Sequence, residues 1–319
     1  MRSIQHLVIP GGAIYGLSYY GSLKYLCQNN AFQLHNIKTI HSTSVGSIIS
    51  TILALKFEWS EMDNYFINRP WHEVFKFSLC SIVKCFKNNG MFDISTIKDI
   101  FLPLFSAKDI PIDITMKDFY ETTGIELHFF TIDVSNFSLV DINYETFPEW
   151  TVVEAVYASS CAPILFKPFN KNGSWYTDGG ILANCPLKQL CESKIKPKLD
   201  EIISITTEDR NGDTTNKYEK YNLLQYVFDL LSKIVNKIQP TYIPSKEFRQ
   251  YEVIISQSLI PVYDVFSIVN SPQQRAKLIE HGENLSHDCC SKILNTPDYH
   301  CNTEKIILQT IIDDIVSIV

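Results

Sequence analysis

The sequence predicts an α/β protein with three layers, in which helices cover both faces of a mostly parallel central sheet. Two observations lead to this prediction. An apolar run at residues 7–9 passes through a glycine-rich turn into a helical pattern at residues 17–27. A second apolar run, at residues 37–40, passes through small residues into a helical pattern at residues 45–55. Repeated strand–turn–helix units build parallel sheets, because each helix carries the chain back across the sheet.

The later elements continue this alternation. Helices are predicted at residues 94–105, 116–123 and 151–158, from residue 187 onward, and at residues 218–238 and 271–294. Asp93 is the predicted N-cap of the helix at residues 94–105. Thr151 and Glu154 form a capping box at the start of the helix at residues 151–158, and Gly124 follows the last turn of the helix at residues 116–123. Strands are predicted at residues 125–134, 138–143, 174–177, 201–206 and 251–255, the first two as a hairpin.

We expect residues 1–295 to form one domain, followed by a linker and an amphipathic helix at residues 296–319. The length of 319 residues suits a single large α/β domain with insertions. The final helix carries isoleucines at positions 307, 311, 315 and 318 on one stripe. Such a stripe favours a face docked on the protein or on a partner over a membrane anchor.

Composition narrows the class of protein. A net charge of -7 argues against nucleic-acid binding. No apolar run reaches the roughly 20 residues that span a bilayer, and the N-terminal residues lead into a strand rather than a signal peptide. Nine scattered cysteines without a CxxC pair indicate reduced thiols. We therefore expect an intracellular protein, cytoplasmic or peripheral to membranes.

Two segments admit more than one interpretation. Residues 74–87 contain three lysines and no acidic residue among apolar side chains. A packed helix or insertion is favoured there, and a lid or a transient contact with a membrane surface stays open. His281, His287, Asp288 and Cys289 lie close in sequence, but a solvated helix end is favoured over a metal site. We expect no metal and no other cofactor.

Ser44 is the candidate nucleophile. It lies between small residues at a predicted strand-to-helix junction, which is the arrangement of a nucleophile elbow, Gly-x-Ser-x-Gly. The tight turn requires small residues two positions away, and these are Ser42 and Gly46. The following helix would direct its N-terminal amides at negative charge on this side chain. A serine that only caps the helix is the alternative.

The glycine-rich turn after the first strand has three interpretations. Gly11, Ala13 and Gly16 approach the dinucleotide fingerprint, but the acidic residue that it requires about 20 residues later is missing. A phosphate-binding P-loop would need a Gly-Lys-Ser/Thr that is also missing. An oxyanion hole, in which backbone N–H groups face a tetrahedral intermediate, fits the small residues. A plain loop stays open.

A third stretch contains Asp178 followed by Gly179 and Gly180. Aspartate before two glycines is most often a turn. The functional alternative is a carboxylate at the end of a strand, with glycines that allow a partner to approach closely.

Together these three stretches resemble the patatin-like phospholipases over about residues 7–190. The resemblance implies a patatin-type α/β/α fold, with Ser44 as nucleophile and Asp178 as its partner in a catalytic dyad. It implies an oxyanion hole from the backbone amides of Gly11, Gly12 and Ala13. Supporting motif positions are Gly16, Ser42, Gly46, Gly179 and Gly180. The chain departs from the family pattern at Ala13, at Tyr15, where a basic residue is usual, and at Ser42.

The resemblance implies a serine lipid acyl hydrolase, of the phospholipase A or lipolytic esterase type, with an acyl-enzyme intermediate. Its substrate would be a phospholipid or another acyl lipid, and it would need no cofactor. The three departures motivate an alternative, a catalytically degenerate module that binds lipid or regulates a partner. A second alternative is an α/β-hydrolase esterase with a Ser-His-Asp triad, for which His300 is the candidate histidine.

Overall fold

The computed structural model describes residues 4–76, 89–209, 242, 245–257 and 262–295, and also residues 226, 227, 230, 233, 234, 237 and 238. Within these ranges the strands form one sheet surrounded by helices, which confirms the predicted α/β class with a mostly parallel sheet. The predictions for residues 296–319, and most of those for residues 74–87 and 218–238, lie outside the described residues. Phe75 is described and packs against the rings of Trp71 and Phe92.

The sheet has eight strands in the order β5-β6-β3-β2-β1-β7-β8, with β4 pairing with β3 beside this path. The strands are β1 (His6–Ile9), β2 (Thr39–Thr43), β3 (Glu126–Asp133), β4 (Ser138–Ile142), β5 (Phe169–Lys171), β6 (Ser174–Asp178), β7 (Ile202–Asp209) and β8 (Glu252–Gln257). The central strands pair in parallel, and β4, β5 and β6 are antiparallel to their neighbours.

The α-helices of the described residues alternate with these strands. They are α1 (Gly16–Gln28), α2 (Val45–Ala54), α3 (Trp59–Asn68), α4 (Trp71–Val74), α5 (Ile94–Ala107), α6 (Met116–Thr123), α7 (Val152–Ser160), α8 (Leu187–Glu192), α9 (Val262–Asn270), α10 (Pro272–Leu285) and α11 (His287–Asn295). Asp93 caps α5, the Thr151–Glu154 capping box opens α7, and Gly124 ends α6 in a left-handed conformation, as predicted. None of the described helices is long and apolar enough to cross a bilayer.

Several predicted boundaries were wrong. The second strand begins at Thr39 and extends to Thr43, because its last residues pair with β3. Strand β5 and helix α3 were missed. The helix predicted at residues 271–294 is two helices, because α10 ends at Leu285 with Ser286 as its C-cap, and α11 begins at His287.

Strands β2 and β6 meet end to end along one edge of β3. Phe130 pairs with Thr43 of β2, and the next residue, Thr131, pairs with Asp178 of β6. Both of these β3 residues also pair with β4, which occupies the opposite edge of the strand. Strand β6 therefore pairs with the same edge of β3, beginning where the pairing with β2 ends. Ser44, the residue after β2, consequently lies beside Asp178.

Helix α10 packs closely against helix α1. A Cβ on Gly21 would lie 2.1 Å from the carbonyl oxygen of Ile279, and one on Gly282 would lie 1.9 Å from that of Ser18. Ser22 donates a hydrogen bond of 3.0 Å to the Gly282 carbonyl. Only glycines permit this distance between the two helices. Because α1 begins just after the glycine-rich turn, this packing supports one wall of the site.

Candidate active site

Ser44 occupies a strained turn between β2 and α2. Its backbone φ of 55° and ψ of -127° lie in a region that non-glycine residues rarely adopt. A Cβ at position 46 would lie 2.3 Å from the carbonyl oxygen of Ile9, so only Gly46 fits between the helix and β1. Ser42 is fully buried, and its hydroxyl has no hydrogen-bond partner among the described residues. The geometry is that of a nucleophile elbow.

Hydrogen bonds hold the backbone of Ser44 on both sides. Its N–H donates to Ser159 Oγ at 3.0 Å, and that hydroxyl donates to the carbonyl of Phe130 at 2.8 Å. Its carbonyl accepts from the N–H of Ser47 at 2.8 Å and from Ser47 Oγ at 2.6 Å. The strained conformation is therefore fixed by neighbours on β3, α7 and α2.

Asp178 lies at the end of β6 with its carboxylate directed at Ser44. Asp178 Oδ2 accepts a hydrogen bond of 2.5 Å from Ser44 Oγ, and Oδ1 accepts one of 2.7 Å from the N–H of Gly180. A Cβ on Gly179 would lie 2.2 Å from the carbonyl oxygen of Phe130, so this glycine allows the turn to close on β3. The structure thus brings together the two residues of the predicted dyad.

Burial sets the charge behaviour of Asp178, which is only 6% exposed. Burial raises the pKa of this carboxyl group to about 6, and the hydrogen bonds from Ser44 and Gly180 partly oppose that shift. At neutral pH the group is mostly ionised, yet it holds a proton more strongly than an ordinary aspartate does.

The glycine-rich turn passes beside Ser44. A Cβ on Gly11 would lie 3.1 Å from Ser44 Cβ, and one on Gly16 would lie 2.5 Å from a methyl group of Val45. The N–H of Gly11 donates to the carbonyl of Asn184 at 3.0 Å. This bond engages the Gly11 amide that was predicted from the sequence to face an oxyanion.

Ala13 lies in the same turn with a left-handed φ of 49°. This conformation costs an alanine roughly 1 kcal/mol relative to the glycine that is usual in the family pattern.

Gly180 lies on the other side of the site. A Cβ on this glycine would lie 2.9 Å from Asp178 Oδ1 and 3.2 Å from Asn184 Oδ1.

Two residues of the site were not predicted. Ser159 holds the Ser44 backbone, and Asn184 contacts both the glycine-rich turn and the turn after Asp178. Both lie within residues 7–190, over which the sequence resembles the family, and that resemblance was the only signal for them.

The histidines near the elbow are structural. His41 is 1% exposed and stacks on His128 with ring centroids 3.9 Å apart. Burial disfavours charge on His128, but hydrogen bonds with Asp141 and Glu126 outweigh it and raise its pKa to about 9. Burial, reinforced by the charge of His128, lowers the pKa of His41 far below its usual value.

His287, Asp288 and Cys289 at the start of α11 each contact a different partner. His287 stacks on Tyr25 at 4.5 Å, Asp288 pairs with Lys292, and buried Cys289 donates to the carbonyl of Gln250. His300 lies outside the described residues.

The profile of the patatin-like phospholipase family matches residues 7–190 of the chain. This match covers more than half of the sequence and includes every residue of the site described above. The chain therefore belongs to the patatin-like phospholipase family, a family of lipid hydrolases.

Two curated proteins and one solved structure are similar to the chain. A protein described as "Probable lipid hydrolase 463L", from Invertebrate iridescent virus 6, is 28% identical over 207 residues, which cover 63% of this chain and 69% of that protein. Uncharacterized protein R571 of Acanthamoeba polyphaga mimivirus is 26% identical over 234 residues, which cover 71% of this chain and 74% of that protein. The crystal structure of VipD from Legionella pneumophila superposes with a TM-score of 0.53 at 15% identity. That match covers 90% of this chain and 66% of VipD, slightly less than two thirds, and it shows a shared fold.

Proposed function

We propose that this protein is a serine lipid acyl hydrolase, of the phospholipase A or lipolytic esterase type, acting on phospholipids or other acyl lipids. The hydrogen bond of 2.5 Å from Ser44 Oγ to Asp178 Oδ2 carries the proposal. A serine hydroxyl becomes a nucleophile when a base lies within hydrogen-bond reach. Here the base is a buried carboxylate, and no histidine is needed.

In the first step, Ser44 Oγ attacks the carbonyl carbon of the ester while its proton moves to Asp178 Oδ2. The carbonyl oxygen becomes an oxyanion in a tetrahedral intermediate. The bond to the alcohol then breaks, and Asp178 returns the proton to the departing oxygen. The products are a free alcohol and an acyl group bound as an ester to Ser44.

In the second step, a water molecule gives a proton to Asp178 as its oxygen attacks the acyl carbon. The second tetrahedral intermediate expels Ser44 Oγ, which recovers the proton from Asp178. The fatty acid leaves and the dyad is restored. The raised pKa of Asp178 suits this exchange, because its conjugate base accepts a proton more readily than an ordinary carboxylate does.

We assign the oxyanion to the N–H groups of Gly12 and Ala13, with Gly11 bringing the turn close to Ser44. Donors positioned in this way typically contribute roughly 3 kcal/mol each to transition-state stabilisation. The N-terminus of α2, which begins directly after Ser44, adds a favourable dipole.

Hydrolysis of a fluorogenic phospholipid tests the proposal. We expect Ser44→Ala and Asp178→Asn to lower turnover by at least about a thousandfold. Ser135→Ala and Asp109→Asn, at exposed positions, are matched controls with unchanged turnover. Circular dichroism checks that each variant is folded. Full activity in Ser44→Ala would overturn the assignment of the nucleophile.

A catalytically degenerate lipid-binding or regulatory module is the second candidate. The buried, unpaired Ser42 hydroxyl and the strained Ala13 favour it, because both lie where the family pattern has glycine. It predicts that the wild type binds liposomes but hydrolyses neither phospholipids nor simple esters. A Ser-His-Asp triad would instead require that His300→Ala abolishes turnover.

A further inference from the structure

Asn184 connects the two turns that border the dyad. Its backbone carbonyl accepts the N–H of Gly11 at 3.0 Å, and its side-chain Nδ2 donates to the Gly11 carbonyl at 3.4 Å. Its Oδ1 lies 2.5 Å from the position of a Cβ on Gly11 and 3.2 Å from that of a Cβ on Gly180. The carboxamide therefore fills the space between the glycine-rich turn and the turn that follows Asp178.

The Gly11 carbonyl has a second donor, the hydroxyl of Tyr19. This hydroxyl donates at 2.9 Å from a side chain that is fully buried in α1. The carbonyl is thus held from two sides, by Tyr19 and by Asn184.

The orientation of this carbonyl determines the orientation of the next amide. The peptide between Gly11 and Gly12 is trans, since the described residues contain no cis peptide bond. In a planar trans peptide, the C=O and the following N–H point in opposite directions. Whatever fixes the Gly11 carbonyl therefore also fixes the direction of the Gly12 N–H.

We propose that Asn184, together with Tyr19, is a positioning residue that holds the Gly11–Gly12 peptide so that the Gly12 N–H faces the oxyanion. This inference rests on the proposed function, because it concerns an intermediate formed on Ser44. Neither residue touches the reacting atoms. Their contribution is to keep the peptide from rotating, which would exchange the N–H donor for a carbonyl oxygen.

The test compares kcat and KM of the full chain on a fluorogenic phospholipid. Asn184→Ala and Tyr19→Phe are expected to lower kcat about tenfold to a hundredfold, with KM changed less than twofold, because the oxyanion exists only during the reaction. Asn170→Ala and Tyr25→Phe are the matched controls, with kcat unchanged.

Asn184→Asp separates positioning from a merely structural role. It preserves the shape of the side chain but removes the Nδ2 donor, so kcat should fall as in Asn184→Ala. Its carboxylate also lies close to Asp178, since the two side-chain oxygens lie 3.2 and 2.9 Å from the same point at Gly180. Repulsion between the two carboxylates should move the acidic limb of the pH–rate profile to higher pH. This shift reports the charge added near Asp178, whereas a fall in kcat at an unchanged KM, with the shape of the side chain preserved, reports the loss of the Nδ2 donor.

The outcomes distinguish the two proposals. An active wild type, an inactive Ser44→Ala and an unchanged kcat in Asn184→Ala would overturn the positioning role and leave the proposed function intact. A raised KM at unchanged kcat would also overturn it, in favour of a contact with substrate. An inactive wild type, or an active Ser44→Ala, would overturn the proposed function and the positioning role with it.

Discussion

Ser159 joins helix α7 to the backbone of Ser44 through a single hydroxyl group. Ser159 Oγ accepts the Ser44 N–H at 3.0 Å and donates to the Phe130 carbonyl of β3 at 2.8 Å. Ser159 is fully buried, Phe130 is 3% exposed and Ser44 is partly buried. The strained φ of Ser44 is therefore held by a residue 115 positions away in the sequence.

Replacing Ser159 with alanine should weaken both the elbow and the fold. Ser159→Ala leaves the buried Phe130 carbonyl and the partly buried Ser44 N–H without their partner, which costs about 1–3 kcal/mol. We expect this loss in urea unfolding, together with a roughly tenfold decrease in kcat. The control is Ser160→Ala, because that hydroxyl donates only to the Val156 carbonyl within the same helix. Equal effects of the two substitutions would contradict the assignment.

The activity should depend on pH through Asp178. The base form is required to accept the proton of Ser44, and burial raises the pKa of Asp178 to about 6. We expect kcat/KM to rise with pH and to reach half of its plateau near pH 6, the pKa of the free enzyme. A profile whose acidic limb falls near pH 4 would show that the carboxyl group behaves as an ordinary, solvated one.

Asp178→Asn should produce an inactive but more stable protein at neutral pH. The pKa of Asp178 is about 6 when folded, against 3.8 as the ordinary value, so the folded state binds the proton more tightly. The wild type consequently gains stability as pH falls from above 6 towards 4. The asparagine variant lacks this titration. In urea unfolding, the free energy of unfolding of the variant should exceed that of the wild type by about 2–3 kcal/mol at pH 8, and this difference should disappear near pH 4.

Ser42→Ala should stabilise the protein. The Ser42 hydroxyl is buried and unpaired among the described residues, so the fold bears its full desolvation cost. Removing it should raise the free energy of unfolding by about 1 kcal/mol without impairing turnover. The corresponding change at Ser50, whose hydroxyl donates to the Gly46 carbonyl at 2.7 Å, should not stabilise. A loss of stability in Ser42→Ala would mean that this hydroxyl has a partner.

Arg275 should be among the most important side chains for stability. It is 4% exposed, and its guanidinium group donates to carbonyls at the ends of α3 and α9, including Ile67 and Val269. Helix C-termini attract a positive charge, which explains how Arg275 is buried with no carboxylate partner among the described residues. Arg275→Met should lower the free energy of unfolding by at least about 3 kcal/mol, because several carbonyls lose their donors. Lys277→Met, at an exposed position of the same helix, should change it by less than about 0.5 kcal/mol.

The sequence was informative where an element is determined by its own residues. The elbow at Ser44, the caps at Asp93 and Thr151 and the end of α6 at Gly124 all follow from short-range rules, and the structure contains each of them. Strand β5 consists of only three residues and exists because it pairs with β6, so no pattern of its own could predict it.

The same reasoning explains which parts of the site were missed. The amides of Gly11, Gly12 and Ala13 look equivalent in the sequence. Which of them can reach a ligand depends on a carbonyl at Asn184, 173 positions away from Gly11. Local patterns identify a turn that could hold an oxyanion, but only the packed structure shows how its hydrogen bonds are divided.

The meeting of β2 and β6 on one edge of β3 makes the spacing of Ser44 and Asp178 depend on a single strand. Thr43 and Asp178 are placed by two consecutive residues of a single strand, Phe130 and Thr131. Segments that leave and rejoin the sheet between these strands can therefore change in length without altering the spacing of Ser44 and Asp178, provided that residues such as Ser159, which holds the Ser44 backbone, are kept. Inserting one residue between Phe130 and Thr131 would move Ser44 out of hydrogen-bond reach of Asp178. Changes in length are therefore compatible with this arrangement in the connecting segments and incompatible with it at that one step of β3.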